Sequence, residues 1–222
     1  MQQHKVRVWD LPTRLFHWLL AATTVALVAT AKVGGNAMQW HLWLGHVMLA
    51  LLLFRLVWGL VGGRWARFSS FLHSPAQLWR YLRGRSDEPV VGHSPLGALS
   101  VFALLGALLA QVASGLLSDD EIAFAGPLAR FVSGDTVGLA TWFHSDVGQY
   151  LLIALVALHL LAIAFYVLVR RHALVRPMLH GDKLVSQPTA ASRDDAATRA
   201  GAAVLAALSS ALAWWVSGLG SV

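Results

Sequence analysis

The sequence predicts an all-α integral membrane protein: a bundle of four transmembrane helices followed by a fifth, C-terminal one. Three observations carry that prediction. Of the 222 residues, 57% are hydrophobic and 13% charged, with a mean hydropathy of +0.60, a balance foreign to ordinary soluble domains. Five apolar runs approach the ~20 residues that a helix needs to cross a bilayer, and charged loops separate them. The fourth run, residues 141–170, carries two histidines, His144 and His159.

Composition also excludes. The absence of cysteine removes disulfides, iron–sulfur clusters, thiolate metal sites and covalently attached c-type haem. The net charge of +6 invites a nucleic-acid partner, but the basic residues sit in particular loops between apolar spans, so no nucleic acid is expected.

Residues 1–14 are short and polar, without a signal-peptide cleavage pattern, and Pro12 stands where a helix can start. Span one is 15–31, with His17 near its head. A Gly34-Gly35-Asn36 connection turns the chain into span two, 40–62, which opens on His41 and holds His46 and Arg55. Its Trp40, Trp43 and Trp58 suit the two membrane interfaces.

The loop 63–92 sets Arg64, Arg67, Arg80, Arg83 and Arg85 against Asp87 and Glu88, with a short interfacial helix over 75–82. Ser94 and Pro95 start span three, 95–117, as N-cap and first helical residue. The loop 118–140 is acidic, with Asp119, Asp120, Glu121 and Asp135 against Arg130. Arg170 and Arg171 close span four. Polar residues follow, and their stretch after Ser186 reads as flexible. Span five, 201–219, is alanine-rich and has no histidine.

The Lys and Arg distribution sets orientation. The N-terminus, the second loop and the segment after span four are cytoplasmic by the positive-inside rule, which puts the C-terminus outside. His17 and His159 then share the inner level, and His41 and His144 the outer. His144 and His159 are fifteen residues apart, which in an unbroken α-helix is roughly 22 Å of rise and about 60° of azimuth. Ionisable residues within a span are costly and mark function.

Two layers, each with one imidazole from the two-histidine helix and one from another helix, point to two bis-histidine b haems, since haem iron takes two axial imidazoles. A single histidine in a span can simply hydrogen-bond across a helix interface, but four that pair at two depths fit that reading poorly. Zinc wants roughly four ligands, and each layer offers two imidazoles without a well-placed carboxylate. Gly45 and Gly148 follow His41 and His144 by four residues and leave room for a flat macrocycle; His17 and His159 have Ala21 and Ile163 there.

His46 competes with His41 for the outer site but lies deeper than the helix start and matches the level of His144 less well. Arg55, and Arg14 from the first helix, are candidates to pair with haem propionates at the inner layer, against a plain snorkelling role for Arg55. His73 and His93 are most simply interfacial. The acidic outer loop suits a basic soluble electron partner such as a c-type cytochrome, or is simply a translocated loop.

Several stretches together resemble the bacterial cytochrome b561 family, which includes the cytochrome b subunits of nickel–iron hydrogenases. They are Val8-Trp9-Asp10-Leu11-Pro12-Thr13-Arg14-Leu15-Phe16-His17-Trp18; His41-Leu42-Trp43-Leu44-Gly45 with Arg55-Leu56-Val57-Trp58-Gly59; Gly92-His93-Ser94-Pro95-Leu96-Gly97; and Asp119-Asp120-Glu121-Ile122-Ala123-Phe124 with Gly126-Pro127-Leu128, joined by His144 and His159.

The resemblance covers roughly residues 5 to 183. It implies a four-helix core holding two haems that exchange electrons with quinone, with His17 and His159 at the inner haem and His41 and His144 at the outer. It also favours His41 over His46.

The expected domains are a di-haem domain over 1–183, a flexible linker 184–199 and an additional helix over 200–222. The expected function is electron transfer across the bacterial inner membrane between quinone and a periplasmic partner, a c-type cytochrome or a hydrogenase. Two alternatives share the same site: a superoxide:quinone oxidoreductase, which the acidic outer loop disfavours, and a haem-bearing anchor subunit of a larger redox complex.

Overall fold

The computed structural model describes residues 3–85 and 91–220, so Asp87 and Glu88 of the second loop lie outside the described residues. Among the described residues, five helices are long and apolar enough to cross a membrane: α1 (Leu11–Val33), α2 (Ala37–Val61), α4 (Pro95–Leu117), the long helix Gly134–Val169, and α8 (Ala196–Gly218). A helix of 23 residues, the length of α1, is about 35 Å long, enough for the ~30 Å hydrocarbon layer with some tilt. The helical membrane architecture expected from hydropathy is the one the chain has, with one short β ribbon added to it.

The helix ends differ from the apolar runs because caps, not hydropathy, decide where backbone N–H groups are satisfied. Asp10 caps α1: its Oδ1 accepts from Thr13 N at 2.7 Å, and its carbonyl accepts from Arg14 N. The long helix begins seven residues before the expected start at 141, because the Ser133 side chain accepts from Thr136 N. In the same way Asp195 Oδ1 accepts from Thr198 N, and α8 starts at Ala196 rather than at 201. The short helix α3 (Pro75–Leu82) carries a capping box between Ser74 and Gln77.

The long helix is not uniformly α. Its first part, α5 (Gly134–Trp142), gives way to a wide π turn over Phe143–Gly148; α6 (Gln149–Ala164) follows, and a second wide turn spans Phe165–Val169. The 60° offset expected between His144 and His159 assumed unbroken α geometry, so it does not carry over.

The chain divides into two compact units. The first gathers Met1–Phe16, Arg55–Ala103 and Ala157–Ala203. Here a two-stranded antiparallel ribbon, which hydropathy does not reveal, pairs β1 (His4–Arg7) with β2 (Asp182–Val185), His4 opposite Val185 and Arg7 opposite Asp182. The helix α7 (Val175–His180) leads into it through Gly181, whose φ of +90° suits a residue without a side chain. Val6, Val8 and Trp9 form a small core beside the ribbon.

Residues 184–199, expected as a flexible linker, are held at several points. Ser192 is buried, its hydroxyl donates to Val8 O at 2.8 Å, and its N–H donates to Arg7 O. The Asp194 side chain, 7% exposed, pairs with Arg7 at 2.7 Å and Arg199 at 3.0 Å, lies 4.0 Å from Arg14, and accepts from Leu11 N. Polar composition suggested looseness, but these polar groups are committed to partners.

The second unit gathers His17–Phe54, Leu104–Val156 and Val204–Val222. In it α8 meets α2 through Trp214 and Trp43, whose ring centroids are 6.0 Å apart.

Replacing Asp194 removes the carboxylate that Arg7, Arg199 and Leu11 N–H share, though Arg7 keeps Asp182, so Asp194→Ala is expected to cost roughly 1.5–3 kcal/mol of stability, read as a lowered thermal midpoint in detergent. Burial raises the pKa of this carboxyl, but the hydrogen bonds from Arg199 and Leu11 N–H and the charges of Arg199 and Arg7 outweigh it and leave the pKa below its usual 3.8. The contribution is therefore complete above that value and is lost as pH falls through the lowered folded value. The wild-type advantage over Asp194→Ala should shrink in that acid window.

Candidate functional site

Within the second unit, α2 and the first wide turn bring His41 and His144 together. Their ring centroids are 6.1 Å apart and their planes nearly perpendicular, at 84°. Each ring is held through Nδ1: His41 Nδ1 donates to Leu27 O at 3.0 Å, and His144 Nδ1 to Gln111 O at 2.8 Å. A carbonyl only accepts, so Nδ1 carries the proton. In the neutral ring that leaves the Nε2 lone pair as the one able to bind a metal.

Both rings line one cavity of about 370 Å³, within the roughly 300–1,000 Å³ range of cofactor sites. Its walls are largely apolar, including Leu27, Leu42, Met48, Leu108 and Leu152.

These residues fit a bis-imidazole haem. Metal–imidazole bonds are about 2.0–2.1 Å, so rings with centroids 6.1 Å apart are near enough to share one ion. Among the described residues no group of three or more His, Cys, Asp or Glu could hold a metal alone, so the donor set suits an ion whose other ligands come from a macrocycle.

Gly45 and Gly148 are not equivalent. A Cβ on Gly45 would meet nothing within 4 Å, and this glycine lines the cavity as expected. A Cβ on Gly148 would run into the Gln111 amide and the Phe143 ring, so that glycine makes room for protein. The glycine that admits His144 is Gly115 on α4, where a Cβ would stand 2.7 Å from His144 Cε1.

The loop after α4 borders the cavity with Asp119, Asp120 and Phe124. The backbone N–H groups of Phe124, Ala123 and Ile122 hydrogen-bond the Asp120 carboxylate and hold its pKa below the usual range. Lys32 also lines the cavity and donates to Gln149 Oε1 at 3.0 Å. His46 lines it too; its Nε2 is buried without a hydrogen-bond partner among the described residues, and its ring contacts the Leu42 carbonyl.

Of the inner candidates, His159 belongs to the first unit, with its Nδ1 3.3 Å from Ser100 Oγ. His17 opens the second unit, edge-on to Trp18 at 5.1 Å. Arg55, 5% exposed, lies in the first unit over the Phe68 ring at 4.6 Å and farther from Phe16, and its buried Nη1 has no hydrogen-bond partner among the described residues. Such a guanidinium suits an anionic group. Arg14 donates its Nη1 to Leu179 O at 2.7 Å and sets its Nη2 beside Asp194, while its Nε is buried without a hydrogen-bond partner among the described residues. His93 packs between Trp9 and Phe71, and its carbonyl lies 3.4 Å from His73 Nε2.

Sequence reasoning passed over Gln111, Gly115 and Ser100. Gln111 was findable, being the lone amide in an apolar span, and a polar side chain there is a functional sign.

A multi-pass helical membrane protein with two adjacent imidazoles lining one cavity, each held through Nδ1, has the construction of a b-type cytochrome. The chain belongs to the prokaryotic cytochrome b561 family, whose model matches residues 8–181. Haem b, transmembrane helices and electron transport come with that membership. The chain is similar to proteins named "Probable Ni/Fe-hydrogenase B-type cytochrome subunit": 27% identical in Azotobacter chroococcum and 28% in Azotobacter vinelandii, each match covering 81% of this chain and 89% of the relative. In Bradyrhizobium diazoefficiens a protein of the same name is 22% identical over 80% of this chain and 85% of its own. No solved structure is significantly similar.

Two glycine substitutions separate the roles of the wall and the ligand. A Cβ at Gly45 meets no neighbour, so Gly45→Leu is expected to keep or raise helix stability by up to about 1 kcal/mol while filling the cavity and lowering haem content. Gly115→Ala is expected to displace the His144 ring at a cost of about 1–3 kcal/mol and to lower haem content as well. Thermal unfolding and the absorbance of the reduced haem read the two effects on the same samples.

Proposed function

We propose that the chain is a di-haem membrane cytochrome b that carries electrons across the bacterial inner membrane between the quinone pool and a redox protein on the periplasmic side. The His41–His144 pair carries this reading, because two tautomer-locked imidazoles at ligand spacing around one cavity are a costly arrangement for mere packing. His41 is the outer partner of His144, rather than His46. His17 and His159 hold the second, inner haem, and Arg55 meets one of its propionates; the unpartnered buried Nη1 of Arg55 supports that role.

When bound, the haems would supply the one-electron chemistry; the chain would supply the imidazole nitrogens of His41, His144, His17 and His159, an apolar wall and fixed ring orientation.

The periplasmic partner is a nickel–iron hydrogenase, a reading supported by the names of the relatives. The loop basicity supports a cytoplasmic N-terminus and a C-terminus outside. In that orientation Asp119 and Asp120 border the outer cavity and give it a negative rim, which disfavours attraction of an anionic substrate such as superoxide.

Purified protein is expected to contain two b haems per chain by pyridine haemochrome. His41→Ala and His144→Ala should each remove the same haem, and His17→Ala and His159→Ala the other, while His46→Ala keeps both. A chain that needs His46 and retains its outer haem without His41 contradicts the pairing. Recovery of a nickel–iron hydrogenase with the cytochrome, from a mildly solubilised native membrane, tests the partner.

A further inference from the structure

We propose that Gln111 is a positioning residue for His144, fixing that imidazole through a reciprocal pair of hydrogen bonds; the inference rests on the di-haem reading above. The two residues bond each other twice. His144 Nδ1 donates to Gln111 O at 2.8 Å, and Gln111 Nε2 donates to His144 O at 2.9 Å. The ring so formed ties the ligand's side chain and its main chain to the same point on α4.

The second bond falls where the helix needs it. His144 lies in the wide turn Phe143–Gly148. A wide turn breaks the regular i→i−4 ladder, and such turns are commonly kept at functional sites. The Gln111 amide brings a side-chain donor to a carbonyl of that turn.

Two glycines make the arrangement possible. Gly148 makes room for the Gln111 amide, and a Cβ there would collide with Gln111 Oε1. Gly115 makes room for the imidazole, one helical turn after Gln111. Ser114 Oγ donates to the same Gln111 carbonyl at 3.0 Å, so that acceptor is itself held.

The consequence is electronic as well as steric. A short Nδ1–H···O=C bond makes an imidazole more basic and favours the oxidised metal, and partners of this kind typically change metal affinity 10–100-fold when removed. Releasing the wide turn from Gln111 lets the ring drift from the Gln111 carbonyl, which lowers ligand basicity.

The test uses the full chain in detergent, with potentiometric titration and low-spin electron paramagnetic resonance. The outer haem is identified as the component missing from His144→Ala. Gln111→Met keeps the volume and removes the amide. Gly148→Ala leaves Gln111 in place but pushes its amide away.

Each variant is expected to raise the midpoint potential of the outer haem and move its g values, while the inner component stays unchanged. The double variant is expected to go no further than the larger single effect, because both substitutions break one bond. An outer haem in Gln111→Met with wild-type potential and g values overturns the proposal.

If Gln111→Met lacks the outer haem, Leu105→Ala is the comparison, because Leu105 is buried on the same helix without lining the cavity. Retention in Leu105→Ala supports the proposal, and equal loss in both reduces Gln111 to packing and overturns it. A wild-type chain without a haem at His144 sinks the di-haem reading and this proposal together. Two haems in the wild type with none of these shifts sinks this proposal alone.

Discussion

The site depends on one kind of bond, an imidazole Nδ1–H given to a main-chain carbonyl of a neighbouring helix. His41 gives its proton to Leu27 and His144 to Gln111. Without those acceptors either ring could carry its proton on Nε2 and lose the lone pair a metal needs. The acceptors are backbone atoms of α1 and α4, so no side-chain change can remove them directly. Their positions follow from helix packing, and helix packing at this point follows from small residues. Gly115 shows the dependence most plainly, since the imidazole occupies the space that any side chain would take. Close approach through small residues is the usual way helices pack in a membrane, where apolar burial between helices gains little.

The spans and their histidines were legible because both signals are local. A run of about 20 apolar residues is rare outside a membrane span, and a histidine inside one is conspicuous. Helix starts were less legible: hydropathy marks where residues become apolar, whereas Ser133 and Asp195 start their helices in polar sequence. The wide turn at Phe143–Gly148 has no compositional mark, and its donor comes from Gln111, 33 residues away. The β1–β2 ribbon was hidden for the same reason, because two four-residue strands acquire meaning only when residues 4 and 185 meet.

Gly45 and Gly148 illustrate how far a spacing argument reaches. Both stand four residues after a candidate ligand, and sequence treats them alike. One borders the cavity and the other receives the Gln111 amide. The i+4 rule identifies the face of the helix but not what stands opposite it. Arg14 and Arg55 are alike in keeping a buried nitrogen without a hydrogen-bond partner among the described residues, but Arg14 also answers a carbonyl and lies beside Asp194 while Arg55 lies over an aromatic ring.

The Asp194 junction bears on how the chain is made. Leu11 N–H at the head of the first transmembrane helix is satisfied by a carboxylate 183 residues later, and Arg7 by the same group. During synthesis the first helix therefore enters the membrane with its leading end unfinished. It acquires this partner only after four spans have been threaded and the segment before the fifth has emerged. Ser192, bonded to Val8 and Arg7, arrives in the same step. The last helix thus closes a circuit with the first, and the order of translation makes that closure a late event in assembly.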